Sequence, residues 1–187
     1  LLPQVDPTSR TQRARIVLKM NALTDEVLAR ALAHASQCGV QVEVIVRGAC
    51  ILPPGLPGVT HNIRIRSVIG RLLEHSRVFH FQIGDDDQLW LSSNMLRRVE
   101  LAWPVTDPQL KQRVIHECLD AYLADTCDAW LLRADGSYER VTPALAKQAN
   151  GKSASKGVQD GKLVHQGRAA TGVSAQRTLM ARYGRKG

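Results

Sequence analysis

His75 and Arg77 stand two apart in GRLLEHSRVFHF (residues 70–81), where a helix-like run gives way to a strand-like one. An imidazole carries or releases a proton near neutral pH, and a guanidinium fork grips phosphate or carboxylate oxygens with two parallel hydrogen bonds. Together they suit phosphoryl transfer, where catalysis consists mostly of positioning and of neutralising charge on oxygens. On a strand, His-x-Arg would set both side chains on one face, about 7 Å apart along the chain. Arg47 directly follows the strand-like run VQVEVIV, and the carboxyl ends of parallel strands are where ligands gather. Lys19 and Asn21 share a face at the end of another strand-like run, and Asp85 and Ser92-Ser93-Asn94 complete the polar groups at strand ends.

Each of these residues also has an ordinary reading. His75 at a helix end would interact with the C-terminal dipole, and Arg47 would pair a carboxylate at a sheet edge. His34 and His116 fall inside expected helices and His165 in the C-terminal tail, which gives all three surface or packing roles. His80 alternates with Phe79 and Phe81 and faces away from both, while His61, just past a proline-rich loop, reads as a turn residue. The chain has no GxxxxGK[ST] loop, no GxGxxG after a strand, no HExxH, no paired CxxC and no GxSxG elbow, so P-loop, Rossmann, zinc and serine-elbow readings lack support. Nothing in the residues requires a protein-bound metal.

The elements that must position these groups follow from periodicity. ARIVLKMN alternates Ile16, Leu18 and Met20 against Val17, Lys19 and Asn21, a strand pattern. A helix is expected next, capped by Thr24, with Val27, Leu28, Ala31, Ala35 and Cys38 as its apolar stripe and Gly39 closing it. VQVEVIV is a second strand, predicted to run parallel to the first. The rigid loop ILPPGLPGVT leads into HNIRIRS, a short strand, and Ser67 would cap a helical stretch VIGRLLEH. RVFHFQI and LWLSS form a hairpin across GDDDQ, and VELAWPV is a further strand. Asp107-Pro108 reads as N-cap and N1 of a long helix reaching about Asp125, with a stripe of Leu110, Val114, Cys118 and Ala121. AWLLRADGSYERV closes the body as a hairpin across Asp135-Gly136, and a short helix, VSAQRTLMAR, ends the chain.

Composition bounds the rest. With 44% apolar and 22% charged residues the chain is of ordinary globular make-up, which excludes wholesale disorder. No run approaches the roughly 18 apolar residues needed to cross a bilayer, and LLPQVDPTSR lacks the layout of a signal peptide. The chain opens on Leu1 without a methionine, which predicts a piece of a longer protein. Cys38, Cys50, Cys118 and Cys127 lie in apolar segments without metal spacing, and read as reduced core residues of a cytosolic protein. The net charge of +8 resides wholly in residues 143–187, which hold nine basic residues against one acid, while the remainder has sixteen of each sign. That tail, rich in Gly, Ser, Ala and Lys, is expected to be flexible and able to contact a polyanion. The expected organisation is therefore one α/β domain over residues 14–142 and a basic, partly flexible extension over 143–187.

The order His75-x-Arg77, Asp85, Ser92-x-Asn94 resembles the half-site of the phospholipase D superfamily, in which a histidine attacks phosphorus and a basic residue holds phosphate oxygens. A longer series is more specific. Lys19 to Asn21, Ala35 to Val40, Ile45 to Cys50, Pro57-Gly58, Asn62 to Arg64 and Leu73 to Arg77 occur in order, and the stretch closely resembles the C-terminal catalytic domain of the phospholipase D-like bacterial polyphosphate kinases. Weaker similarity continues through RRVELAWPVTDPQLKQRV, ADGSYERV and VSAQRTLMARYG.

That resemblance implies a phospholipase D-like mixed sheet flanked by helices, and reversible transfer of the terminal phosphate of ATP to polyphosphate through a phosphohistidine. It implies that the phosphorylated histidine lies on a preceding catalytic domain absent from this chain, so that the chain is a kinase fragment inactive without that domain. By position, His75 becomes a second essential histidine acting as general acid or base. Arg47, Arg98, Lys19 and Arg77 become contacts to ATP or polyphosphate. Magnesium would be bound mainly through the absent domain and ATP, the complete enzyme would be a homo-oligomer, and its place would be the cytoplasm or the membrane periphery.

Three departures accompany the resemblance. About six residues that the family carries between Ser93 and Asn94 are missing, His61 stands where the family has an acidic residue, and the segment before Ala14 is short. Two other readings therefore stay open from sequence: a module that binds polyphosphate or nucleotide without turnover, and a homodimeric phospholipase D-like phosphotransferase or nuclease that brings two copies of His75 together.

Overall fold

The computed structural model describes residues 14–92, 101–142 and 172–184. In chain order its elements are β1 (Arg15–Met20), α1 (Glu26–Gln37), β2 (Gln41–Val46), β3 (Ile63–Val68), β4 (Val78–Ile83), β5 (Asp86–Ser92), β6 (Ala102–Pro104), α2 (Pro108–Val114), a π-helical turn (Ile115–Asp120), α3 (Ala121–Leu123), β7 (Ala129–Leu132), β8 (Tyr138–Arg140) and α4 (Ala175–Tyr183). The strands form one mixed sheet in the order β6-β5-β4-β1-β2-β3-β7-β8. β1, β2 and β3 are parallel, and β4 and β7 flank them antiparallel.

The alternation in β1 divides the core into two layers. Leu18 and Met20 join Val42, Val44, Val46, Ile63 and Ile65 beneath α1. Val17 joins Ile45, Val68, Val78 and Leu89 beneath the helix of residues 108–123, where Leu119 and Tyr122 are buried. β-branched side chains at these central positions fit a sheet covered on both faces.

Several local expectations need correction. Asp25, not Thr24, caps α1: it holds extended backbone and accepts from the Leu28 amide at 2.7 Å. Val27 is 77% exposed, because it lies five residues before Leu32, well off the stripe that buries Ala29, Leu32, Ala35 and Ser36. Cys38, just past the helix, is exposed rather than core, and Cys50, Cys118 and Cys127 are half-buried thiols. Asp107 and Pro108 do start the second helix, with the Asp107 carboxylate accepting from the Leu110 amide at 2.7 Å. Within it, the π turn takes up an extra residue and slips the i, i+4 stripe, so Leu110 is exposed while Leu119 and Tyr122 turn inward.

The expected helix after Ser67 does not exist. β3 continues to Val68, Ser67 is buried and donates to the Arg47 carbonyl at 3.3 Å, and residues 69–77 form an irregular loop. Leu72 and Leu73 are both exposed, so a helix there would have had no apolar stripe to bury. The final helix α4 is present, and Ala175 at its start has no exposed surface. The expected flexibility of residues 143–171 concerns positions outside those described.

Asp125 ties α4 to the body. Without exposed surface, it accepts from the amides of Cys127 at 2.9 Å, Asp128 at 2.7 Å and Ala175 at 2.7 Å. Removing it leaves three amide donors without that acceptor, so Asp125→Ala is expected to lower stability by about 3 kcal/mol in urea unfolding, far more than an exposed acid on the same scale.

Candidate phosphate-handling site at the carboxyl edge

The strand order decides where the loop of residues 69–77 must run. β3 ends, and β4 begins, at the edge of the sheet where β1 and β2 have their carboxyl ends, and β1 and β2 lie between them. The loop therefore spans that edge across the ends of both central strands. Lys19 at the end of β1 and Arg47 just past β2 lie below it, and His75 lies within it.

Glu74 is the pin of this loop. Lys19, 2% exposed, donates from Nζ to Glu74 Oε2 at 2.9 Å and sits 3.2 Å from the centroid of the Tyr122 ring. Gln176 on α4 donates from Nε2 to Glu74 Oε1 at 2.6 Å, and the Tyr122 hydroxyl adds a further hydrogen bond. The Glu74 carbonyl accepts from Arg47 Nη1 at 2.7 Å, and the His75 carbonyl accepts from Arg77 Nη1 at 3.3 Å. Both carbonyls flanking the His75 side chain are thus held by arginines, while the imidazole itself is exposed.

Burial shapes the protonation of this cluster. Desolvation alone would raise the Glu74 carboxyl, but the hydrogen bond and charge of Lys19, with Gln176 and Tyr122, hold it below its ordinary value of 4.5. Burial pushes the Lys19 ammonium down from 10.5 against the opposing pull of Glu74, and it pushes the Tyr122 hydroxyl well up. Tyr122 is therefore a donor at any ordinary pH.

The structure brings Lys19, Arg47, His75 and Arg77 to one edge but gives them unequal access. Lys19 is closed in by Glu74 and Tyr122, and Arg77 is buried. Arg47 is half-buried and His75 exposed, which leaves these two open to a ligand. Arg47, Lys19, Glu74 and Ser76 line a notch of only about 10 Å3 over the strand ends, room for roughly one water. His75 and Arg77 are not side by side on a strand, because β4 begins only at Val78. Asp85 sits in the β4–β5 turn, about 20 Å of strand away from that edge, and is not part of the site. Ser92 does return to it, its amide donating to the Arg77 carbonyl at 3.2 Å. Arg98, Ser93 and Asn94 lie outside the described residues.

His165 lies outside the described residues, and the other histidines divide as their sequence positions suggest. His80 is buried, with Nε2 2.6 Å from Asp87 Oδ1, and His34 is an exposed residue of α1. His61 lines a cleft of about 820 Å3 toward the amino ends of the parallel strands, where Arg15 is paired with Glu43 and Arg66 donates to the carbonyl of Leu123. Asn21, at the end of β1, contributes the one buried side-chain oxygen among the described residues that has no partner, Oδ1. Sequence reasoning missed Glu74, Tyr122 and Gln176. Glu74 was inside the Leu73 to Arg77 block and Gln176 inside the final helix, yet no local pattern joins positions that far apart.

The family model for polyphosphate kinase C-terminal domain 2 matches residues 3–152. A polyphosphate kinase from Pseudomonas aeruginosa is 51% identical over 138 residues, covering 71% of this chain and 20% of that protein. One from Xylella fastidiosa is 48% identical over 136 residues, covering 70% and 20%. The crystal structure of polyphosphate kinase from Porphyromonas gingivalis is similar with a TM-score of 0.67 at 32% identity, over 73% of this chain and 22% of that one. The chain thus spans about a fifth of the length of the relatives it matches.

Two substitutions test the pin. Glu74→Gln leaves the Lys19 charge buried without a counter-ion, and should cost about 3 kcal/mol in urea unfolding. Lys19→Met should cost less, because Glu74 keeps Gln176 and Tyr122 as donors. The folded-state carboxyl of Glu74 is depressed, so its contribution is complete above about pH 4.5 and is lost as pH falls through the lower folded value. Stability measured from pH 6 down to about pH 3 should accordingly decline less steeply in Glu74→Gln than in the wild type.

Proposed function

The chain belongs to the polyphosphate kinase C-terminal domain 2 family, and on that premise we propose that it supplies one half of a polyphosphate kinase active site. The whole reaction moves the terminal phosphoryl group of ATP, first to a histidine on another domain and then to the end of a polyphosphate chain. At each transfer one P–O or P–N bond breaks as another forms. The fold of this half is the phospholipase D-like arrangement of a mixed sheet with helices on both faces.

One observation carries the reading: the loop bearing His75 is fixed across the carboxyl ends of β1 and β2, with Arg47 at its foot. Arg47 spends one N–H on the Glu74 carbonyl, and the rest of its fork suits phosphate oxygens. His75 gives a proton to, or takes one from, the phosphate oxygen exposed when a bond to phosphorus breaks. Arg77 orients the His75 main chain, Lys19 holds Glu74, and Arg98 is assigned a further phosphate contact from its place in the family pattern.

On this reading magnesium is assigned to the part of the site outside this chain. Among the described residues no group of three or more His, Cys, Asp or Glu is placed to hold an ion, and Glu74, beside His75, is already taken by Lys19. The ion belongs to the nucleotide phosphates and the other domain, and no step here runs through it. The partners on this reading are ATP or ADP, polyphosphate, the remaining domains and further copies in a homo-oligomer. No helix among the described residues is long and apolar enough to cross a membrane, and the assigned place is the cytoplasm or the membrane periphery.

The first test is ATP formation from ADP, magnesium and long-chain polyphosphate. The chain by itself is expected to form none, and with its missing domains supplied it is expected to form ATP. In that assembly His75→Ala should slow turnover by about 100-fold or more, and unchanged turnover would remove His75 from the mechanism. Arg47→Ala should weaken substrate use by about tenfold, the loss of one charge-assisted hydrogen bond. ATP formed by the chain alone, and lost in His75→Ala, would instead mean that two copies build a working site.

A further inference from the structure

The final helix α4 reaches the loop of residues 69–77 through the side chain of Gln176. Gln176 is 4% exposed and lies 104 residues from Leu72 in sequence. Its Oε1 accepts from the Leu72 amide at 2.8 Å, and its Nε2 donates to the Leu72 carbonyl at 2.7 Å and to Glu74 Oε1 at 2.6 Å. The carboxamide thus takes the part of a neighbouring strand toward Leu72, with both of its N–H groups and its oxygen used. Among the natural side chains of this length, only an amide both donates and accepts in this way.

The base of Gln176 is as firmly held as its tip. Ser174 Oγ donates to Asp128 Oδ2 at 2.7 Å, Ala175 N donates to Asp125 Oδ2 at 2.7 Å, and Thr126 N donates to the Val173 carbonyl at 2.8 Å. Gly70 lies against the carboxamide, where an added Cβ would come within 2.7 Å of Gln176 Cδ. The absence of a side chain at position 70 is what allows the amide to reach Leu72.

We infer that Gln176 is a positioning residue for His75: it brackets the loop from outside the body of the domain and makes the placement of the imidazole depend on the docking of α4. The inference rests on the reading of His75 as a functional group. It predicts that loosening α4 disturbs the loop of residues 69–77 while the sheet stays intact, since the apolar core packed on β1 and β2 beneath α1 includes no residue of that loop.

The test uses the chain as it stands, with Gln176→Ala, Gln176→Glu and Gly70→Ala beside the wild type. Amide hydrogen exchange should quicken about tenfold at Leu72 and its loop neighbours in the alanine variants, while β1 and β2 keep their protection. Gln176→Glu should loosen the loop at least as much, because it sets a carboxylate against Glu74 and the Leu72 carbonyl. A second readout follows the His75 ring resonances during titration with tripolyphosphate. The wild type is expected to shift saturably, and Gln176→Ala to need about tenfold more ligand. Unchanged loop exchange in both Gln176→Ala and Gly70→Ala would overturn the bracket, as would quickened exchange with an unaltered His75 titration. A wild type whose His75 signals ignore tripolyphosphate would overturn the phosphate reading of the site, and loop exchange would then judge the bracket by itself. Gly70→Ala keeps the test decisive should Gln176→Ala fail to fold.

Discussion

A lysine ammonium buried beneath a tyrosine ring must have an anion, and in this domain the requirement of Lys19 organises everything around the loop above it. Glu74 is drawn inward to meet that charge, and its carboxylate then has lone pairs that further donors must satisfy. Gln176 and Tyr122 supply them from two separate helices. The outcome is an irregular segment with no apolar stripe of its own, held by polar contacts from β1, from the helix across the second face and from the last helix. Exposed Leu72 and Leu73 confirm that hydrophobic burial does not fix this loop.

Topology explains why the contacts converge there. With β3 and β4 on either side of β1 and β2, the connection between them has no route but across the carboxyl edge of the central strands. The same order brings Ser92 back to Arg77 while sending Asp85 to the far end of a hairpin. The sheet is covered on both faces, and the polar groups of this edge stand on it rather than in a deep cavity. That suits a domain that matches about a fifth of its relatives, where opposing surface can come from elsewhere.

What could be read from sequence depended on the range of the interaction. The strands of residues 15–20, 41–46 and 63–68 and both tight hairpins were legible because their two-residue period and turn residues are local. The place of Arg47 just past a strand end was legible for the same reason. The helix proposed for residues 68–75 was wrong because Gln176 and Asp128 satisfy main-chain groups there, so the segment needs no helix to do so. Val27 and Leu110 were misassigned for smaller reasons, a spacing that puts Val27 off the stripe of Ala29, Leu32 and Ala35 and a π turn that shifts the inward face. The pairing of Lys19 with Glu74, 55 residues away, carries no local signal.

The separation of 104 residues between Leu72 and Gln176 also bears on the order in which a ribosome delivers this domain. The parallel strands, their covering helix and the hairpin are all made before α4 emerges, and domains fold from their first-made parts. The segment carrying His75 must therefore wait, its sheet already paired, for α4 to be synthesised. A nascent chain can therefore hold a paired sheet while the segment that crosses its carboxyl edge still lacks one of its anchors.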